Sequence, residues 1–442
     1  MQSLTYVELI RGNRNFRNLL AGQFISELGN WFNFIAGLGL VRLVSDASPT
    51  AAGLFFVARL LPFAIMSPIA GTFVDRFSRR QVMIITDVLR VVVALAFLFV
   101  SRPEDLWIAY LATVVLHTLG AFFEGAKNAA APNLTGKEGL LAGTALMFST
   151  RFLLMAVGSA LGGWAAAVFG YEIAFIINAA SFGLSAFTVW LIPEEATRDQ
   201  ESVAEVAKPD IAPTPSADAG AMPIAPQPQA TRASFMTDLR EGLSYTVKNR
   251  FALTILIMNM IWALGGGSIN IIFERFGGVY FAGTEGWNPD VAVALLWTAT
   301  GIGLTLGMLL AHRTSIYLDR KRLNRSFIGW ALVIHGALFA LGGLVPTLWM
   351  LAVIVLMSRV IVGVEYAVQE TMFQRSLPDY IRGRISTLDR GAELGVFGLA
   401  SYAASGAMFY ITPQTLTIIS GLISALAGVV WFIREKDERT FT

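Results

Sequence analysis

The chain has 442 residues, of which 55% are hydrophobic and 14% charged, with a net charge of +2. Soluble domains carry about 25% charged residues, so this deficit excludes an ordinary water-soluble enzyme and points to repeated crossing of a bilayer. The absence of cysteine excludes disulfides and thiolate chemistry, and the small positive charge is no footprint of nucleic-acid binding.

Residues 1–17 are polar and no A-x-A-like site follows an apolar run, so the first span is expected to serve as its own insertion signal. Apolar runs predict an all-α membrane protein with twelve helices near 18–43, 51–73, 81–101, 105–128, 142–168, 171–192, 250–273, 290–312, 326–344, 347–372, 384–410 and 413–433. Amphipathic stretches precede each group of six: Leu4 to Leu9, and Phe235, Leu239 and Leu243. Each either lies on the inner membrane surface or extends the helix that follows.

Between the second and third spans runs Gly71-Thr72-Phe73-Val74-Asp75-Arg76-Phe77-Ser78-Arg79-Arg80. Gly71 permits close helix packing, and Arg76, Arg79 and Arg80 anchor a cytoplasmic loop. Asp75 can accept charge-assisted hydrogen bonds, so the loop could latch that side shut. The plain alternative is a basic turn obeying the positive-inside rule.

Residues 193–233 change character, with Pro209-to-Pro215 and Pro223-to-Pro228 rich in proline and alanine. They read as a flexible linker between an N-terminal bundle, 1–192, and a C-terminal bundle, 234–442. The halves echo each other at an offset of about 245 residues: Asp319-Arg320 repeats Asp75-Arg76, and 376–384 repeats 131–134. Such echoes mark duplicated six-helix bundles. The second Asp-Arg copy lacks the glycine and is expected to contribute less to gating. Asp75 is expected to face Gly383 and Arg384.

With the N-terminus inside, about 25 of the 33 Lys and Arg fall on the cytoplasmic side, against Arg42, Arg102 and Arg275 outside. Both termini are therefore expected to be cytoplasmic. Trp107, Trp287 and Trp349 at outer helix ends, and Trp190 and Trp431 at inner ends, fit an interfacial belt.

Ionisable groups inside spans cost roughly 2.5–3.5 kcal/mol at midplane, so each is a functional candidate. Glu27 shares a helical face with Gln23 and Asn30. It is read as a proton-coupling or substrate group, with a structural hydrogen bond as the alternative. His117 and Glu124 share a face of the fourth helix, and Arg151 on the fifth is a plausible buried partner for Glu124, as lock or as switch. Arg59 and Arg359 could attract an anion or pair with carboxylates. Arg390 and Glu393 can pair at i,i+3, with Glu365 a possible third member.

On the seventh helix, Asn259, Trp262 and Gly265–Gly267 suggest either bending during transport or close packing. Trp31 and Trp262 sit at comparable depth and could stack on an organic substrate. Three histidines make a transition-metal site unpromising, no nucleotide-binding glycine pattern occurs, and no cofactor is implied.

The 71–80 pattern resembles the loop signature of the major facilitator superfamily. Gly158-Ser159-Ala160-Leu161-Gly162-Gly163 is similar to the superfamily's Gly-Pro-x-x-Gly-Gly antiporter signature, with Ser159 replacing proline. Ala174-to-Phe182 and Arg375-to-Arg384 look like the macrolide-efflux and enterobactin-exporter branch of bacterial drug–proton antiporters. The fourth helix lacks the Arg-x-x-x-Gly pattern of many drug antiporters, which shifts weight onto Glu27; Arg359 to Gly363 supplies one in the tenth.

The resemblance implies two pseudo-symmetric six-helix bundles in the bacterial inner membrane. It implies alternating-access export of amphipathic organic molecules, drug-like or siderophore-like, driven by protons, with the chain working as a monomer. The alternatives are a lysophospholipid or metal-ion cargo on the same fold, and a non-transporting receptor or scaffold.

Overall fold

The computed structural model describes residues 5–74, 76–198 and 235–436. Asp75 and the linker from residue 199 to 234 lie outside them. Among the described residues there is no strand, and twelve helices are long enough to cross a membrane.

A short helix α1 (Tyr6–Gly12) precedes α2 (Arg14–Val44), α3 (Pro49–Val74) and α4 (Arg79–Leu95). Next come α5 (Pro103–Gly136), α6 (Glu138–Phe169) and α7 (Tyr171–Trp190). After the linker, α8 (Phe235–Lys248) leads into α9 (Arg250–Glu285), α10 (Pro289–Lys321), α11 (Asn324–Leu341), α12 (Leu348–Ser376), α13 (Asp379–Ala407) and α14 (Pro413–Lys436).

Side-chain caps set several starts. Asn13, Ser78, Asn249 and Thr347 accept from the backbone N–H three residues on, and Asn288 caps α10 with Pro289 in its first turn. The fourth and fifth helices were expected to be separated by a loop over 129–141. They are instead nearly continuous, broken only at Gly136, whose φ of 66° interrupts the helical path. Gly170 (φ 81°) then turns the chain into α7.

Ten spans are apolar enough to cross a membrane on composition alone. The two that are not, α2 and α13, carry Glu27 and Arg42, and Asp389, Arg390 and Glu393. Polarity that weakens the hydropathy of these helices is polarity turned toward the interior.

The two halves repeat one packing scheme. α2 lies against α7 and α3 against α5; correspondingly α9 lies against α14 and α10 against α12. Two seams join the halves, α3 with α13 and α6 with α10. At the end away from the termini, one buried cluster mixes Trp31, Phe34 and Phe56 with Phe273, Trp297 and Leu351. Toward the termini the halves keep separate cores.

α1 is tied to the N-half rather than lying free, with Leu9 buried among Phe16, Ala131 and Met147. Trp107, Trp190 and Trp349 are exposed, as a belt requires, but Trp431 is 1% exposed and donates to the Arg325 carbonyl at 2.8 Å. It is a core residue, because a polar acceptor on α11 gives its ring N–H a partner inside the bundle.

Candidate functional site: a central cavity closed at one end

The far end is shut by groups from both halves. Arg42, at the end of α2, forms a buried ion pair with Asp290 at the start of α10. Tyr171 donates its hydroxyl to the other Asp290 oxygen at 3.0 Å. Glycines make the approach possible: a Cβ on Gly278 would lie 2.5 Å from the Arg42 guanidinium, and one on Gly39 would strike Asp290. Arg275 donates to the Ala47 carbonyl at 2.5 Å, a second bond between the halves.

Beneath this latch lies an aromatic roof. Trp31 meets Phe34 edge-on at 5.4 Å and Trp297 at 5.7 Å, and Phe273 meets Trp297 at 5.3 Å. Trp31 is therefore buried in a plug between the halves, with Gly158 against its side chain.

The α3–α13 seam loosens away from the latch, whereas the α6–α10 seam stays close-packed as far as Gly301. Along α3 and α13, a Cβ on Gly53 would collide with Ser405, one on Gly398 would lie 3.4 Å from Leu60, and one on Gly391 4.0 Å from Ala64. Among the described residues nothing lies within 4 Å of a Cβ on Gly71, so none of them makes the close packing expected of it. Along α6 and α10, Gly163 abuts Ala294, Ser159 meets Thr298 at 3.1 Å, and Gly301 abuts Ala156. Within the Gly158–Gly163 segment, Ser159 and Gly163 face this seam, whereas Gly158 and Gly162 pack on Trp31 and Phe32 of α2.

A cavity of about 290 Å³ opens in the N-half, lined by Gln23, Glu124, Lys127, Thr144, Met147 and Arg151. The expected Glu124–Arg151 pair is replaced by Lys127, which holds Glu124 at 2.6 Å. Lys127 lies one turn from Glu124 on the same helix, whereas Arg151 stays exposed to the cavity, within electrostatic reach of Glu124. Gln23 donates to the Met147 carbonyl at 2.9 Å.

Further in, Arg90 is buried and pairs with Asp87 at 3.0 Å, donates to Asn30 at 3.3 Å and lies over the Phe182 ring at 3.9 Å. Arg59 lies over Phe34 at 4.3 Å. Glu27 is in electrostatic reach of Arg59 and Arg90, and so is His117. Glu27, Asn30, Arg59, His117, Glu124 and Arg151 thus converge in one half.

The C-half has a smaller polar centre. Gln369 donates to Asn259 at 2.9 Å, and Asn259 donates to Asp389 at 2.9 Å. Glu365 and Trp262 line the same cavity, of about 20 Å³. Arg390 pairs with Glu393 at 2.8 Å, and Glu365 is not a member of that pair. Arg359 is buried beside Phe339, 5.9 Å from the ring centroid. Gly265–Gly267 pack tightly: a Cβ on Gly265 would lie 2.6 Å from the Ser420 carbonyl, and one on Gly267 2.5 Å from that of Phe397. Close packing accounts for these glycines.

At the termini end, Arg79 donates to Thr197 and Arg80 to Trp190, both backbone carbonyls, at 3.1 and 2.6 Å. These arginines staple the start of α4 to the end of α7 and to a turn at Glu194–Thr197, so the first residues of the expected linker are docked. Arg76 is exposed. The expected contact of Asp75 with Gly383 and Arg384 falls on residues outside those described, Asp75 altogether and the other two in their side chains. Asp319 accepts from Asn324 and faces Arg375 at 3.7 Å, while Arg320 is exposed.

Sequence reasoning missed Asp87, Arg90, Lys127, Tyr171, Asp290 and Asp389. Asp87 and Arg90 did carry a signal, an i,i+3 charge pair within an apolar helix. Among the described residues no group of three His, Asp or Glu could hold a metal ion.

Comparison with known proteins agrees with this architecture. The Bacillus subtilis protein YfiS, an uncharacterized MFS-type transporter, is 23% identical over 97% of this chain and 95% of its own. Macrolide efflux protein A of Streptococcus pyogenes is 20% identical over 84% of each. The nucleoside transporter NupG superposes with a TM-score of 0.68 at 15% identity, covering 96% of this chain and 99% of its own. The Major Facilitator Superfamily profile matches residues 19–392, and the chain belongs to that superfamily of multi-pass membrane transporters.

Proposed function

We propose that the protein is a proton-coupled exporter of amphipathic organic molecules in the bacterial inner membrane, with both termini cytoplasmic. The observation that carries this reading is the seam between the halves, held at the far end by the Arg42–Asp290 latch and widening along α3 and α13 toward the termini, with a charged cavity in the N-half. The excess of Lys and Arg at the termini end makes that end cytoplasmic. In this orientation the structure is the substrate-loading state of an exporter, and the efflux relative favours the same direction.

Residues 1–192 and 234–442 act as the two rocking bodies of a single working chain, linked by 193–233. Gln23, Glu124, Lys127 and Arg151 receive the substrate, with Glu27 and Asn30 deeper. Glu27 contacts substrate or proton beside Arg59 and Arg90. Each proton crossing 100 mV releases about 2.3 kcal/mol, enough for roughly fifty-fold accumulation of a neutral substrate.

Export of a macrolide and of fluorescent dyes from efflux-deficient bacteria expressing the chain tests the reading; no export of any probe overturns it. In proteoliposomes, Glu27→Gln is expected to weaken pH-gradient-driven transport, and unchanged transport removes Glu27 from coupling.

A second cargo is favoured by the lining itself. Lys127 and Arg151 outnumber Glu124 there, which suits an anionic amphiphile such as a lysophospholipid or siderophore. Such compounds belong in the same panel.

A further inference from the structure

The C-half cavity is too small for the proposed cargo. At about 20 Å³ it has room for roughly one water. Its wall nevertheless carries Glu365, 3% exposed, whose Oε1 has no hydrogen-bond partner. Asp389, reached through Asn259, likewise has a buried Oδ1 without a partner. Among the described residues neither carboxyl enters an ion pair.

The charged neighbours are accounted for elsewhere. On α13, Arg390 is held by Glu393 at 2.8 Å while staying within electrostatic reach of Asp389, and Glu393 itself lines the cavity. On α12 itself, Glu370 accepts from Gln374 at 2.5 Å, Arg359 lies by Phe339, and Tyr366 lines the same cavity. From α11, His335 is bonded to Ser358 at 2.6 Å. His312 and Arg313 of α10 are exposed, and α9 contributes only Met258, Asn259 and Trp262.

An ionised carboxylate buried without a counter-charge is expensive, and removing its charge is the cheapest relief. Glu27 differs, because it faces Arg59 and Arg90. A sodium ion would need several free oxygens, but Asn259 Oδ1 and Asp389 Oδ2 are already engaged.

We propose that Glu365 is a proton-binding site of the C-half, with Asp389 as the second carboxyl on the path to the cytoplasmic cavity. The proposal rests on the coupled-transport reading above, but it locates a load site in the half opposite Glu27. A proton taken up by Glu365 when the far end is open is released through Asp389 when the termini end is open. The N-half cavity and the C-half carboxyl then divide cargo and coupling ion between the two bodies.

The test is infrared difference spectroscopy of the full-length protein in lipid, stepped between neutral and alkaline pH. Wild type is expected to show the carbonyl band of a buried protonated carboxyl, E365Q to lose it and E27Q to keep it. E365D retains a carboxyl on a shorter arm and is expected to shift the band, which keeps the test valid if E365Q misfolds. A band unchanged in E365Q or E365D, or one that answers sodium chloride at fixed pH instead of pH, overturns the assignment. This readout needs no cargo, so it stands apart from any failure of export. In proteoliposomes loaded with a macrolide, E365Q is expected to lose the roughly fifty-fold accumulation one proton can drive at 100 mV. Full retention of that accumulation overturns the proposal.

Discussion

The two ends of the inter-half seams are built from different materials. At the far end, glycines bring backbones together and a buried Arg42–Asp290 pair with Tyr171 spans the gap. At the termini end, the charged groups bond within their own half: Arg79 and Arg80 to the end of α7, Asp319 to Asn324 and Arg375. The difference teaches which contacts are specific to this state. In the proposed transport cycle, bonds between halves must break for the cavity to reopen on the other side, whereas bonds within a half can persist. In this conformation Arg79 and Arg80 of the 71–80 motif staple the N-half internally, whereas the Arg42–Asp290, Tyr171–Asp290 and Arg275–Ala47 bonds span the halves at the far end.

The largest way to break that contrast is to remove one partner of the latch. Asp290→Asn leaves Arg42 buried without a counter-charge, and such losses cost about 3–5 kcal/mol. Spin labels at exposed Glu104 and Leu344 should move apart, and labels at Phe77 and Leu323 should approach. Exchanging the charges, with Arg42→Asp and Asp290→Arg together, should restore much of the closed population. Distances unaffected by Asp290→Asn would mean the pair is not a latch.

A steric wedge should act less strongly. Gly163→Val places a side chain where Ala294 and the Asp290 carbonyl already sit. Overpacking of this kind costs roughly 1–3 kcal/mol. The label distances should move in the same direction as for Asp290→Asn, by a smaller population change. A stable far-closed state in this variant would show that the seam can yield without opening.

Smaller still is the Ser159–Thr298 contact at 3.1 Å, which crosses the α6–α10 seam. Thr298→Val keeps the volume and removes the hydroxyl, so a loss of about 0.5–1.5 kcal/mol is expected. A thermal unfolding midpoint unchanged in Thr298→Val would show that Ser159, which also bonds the Met155 carbonyl at 2.5 Å, does not need its partner.

How much of this was legible in the sequence depends on the range of each interaction. The spans and the duplication were legible because apolar length and a repeated Asp-Arg loop are local patterns. The shared face of Gln23, Glu27 and Asn30 was legible because polar groups in apolar helices must face inward, but the meeting of Glu365 with Asn259 and Trp262 was not, because it joins two helices far apart in the chain. The latch was not, since Arg42 and Asp290 lie 248 positions apart and each alone reads as an ordinary helix-end charge. Glu124 was matched to Arg151 across a hairpin, while Lys127, one turn away, had the shorter reach. Trp431 looked interfacial from its position near a helix end, and only the packing of α11 shows its partner.

The smallest expected effect on stability belongs to Gly71, and it sharpens the comparison most. Among the described residues nothing lies within 4 Å of a Cβ there, and Gly71 is inside helix α3. Gly71→Ala should therefore leave the unfolding midpoint unchanged or raise it, since alanine favours a helix interior by up to about 1 kcal/mol. Gly71→Leu should also fold, with its side chain in open space. If the termini end closes by bringing α13 against α3, as Gly53 and Ser405 do at the far end, the leucine occupies the space that closure requires. Transport should then fall in Gly71→Leu while stability does not, and the label pair at Phe77 and Leu323 should lose its short-distance population. Equal transport in wild type and Gly71→Leu would mean that the two ends of the α3–α13 seam do not close by the same glycine-mediated approach.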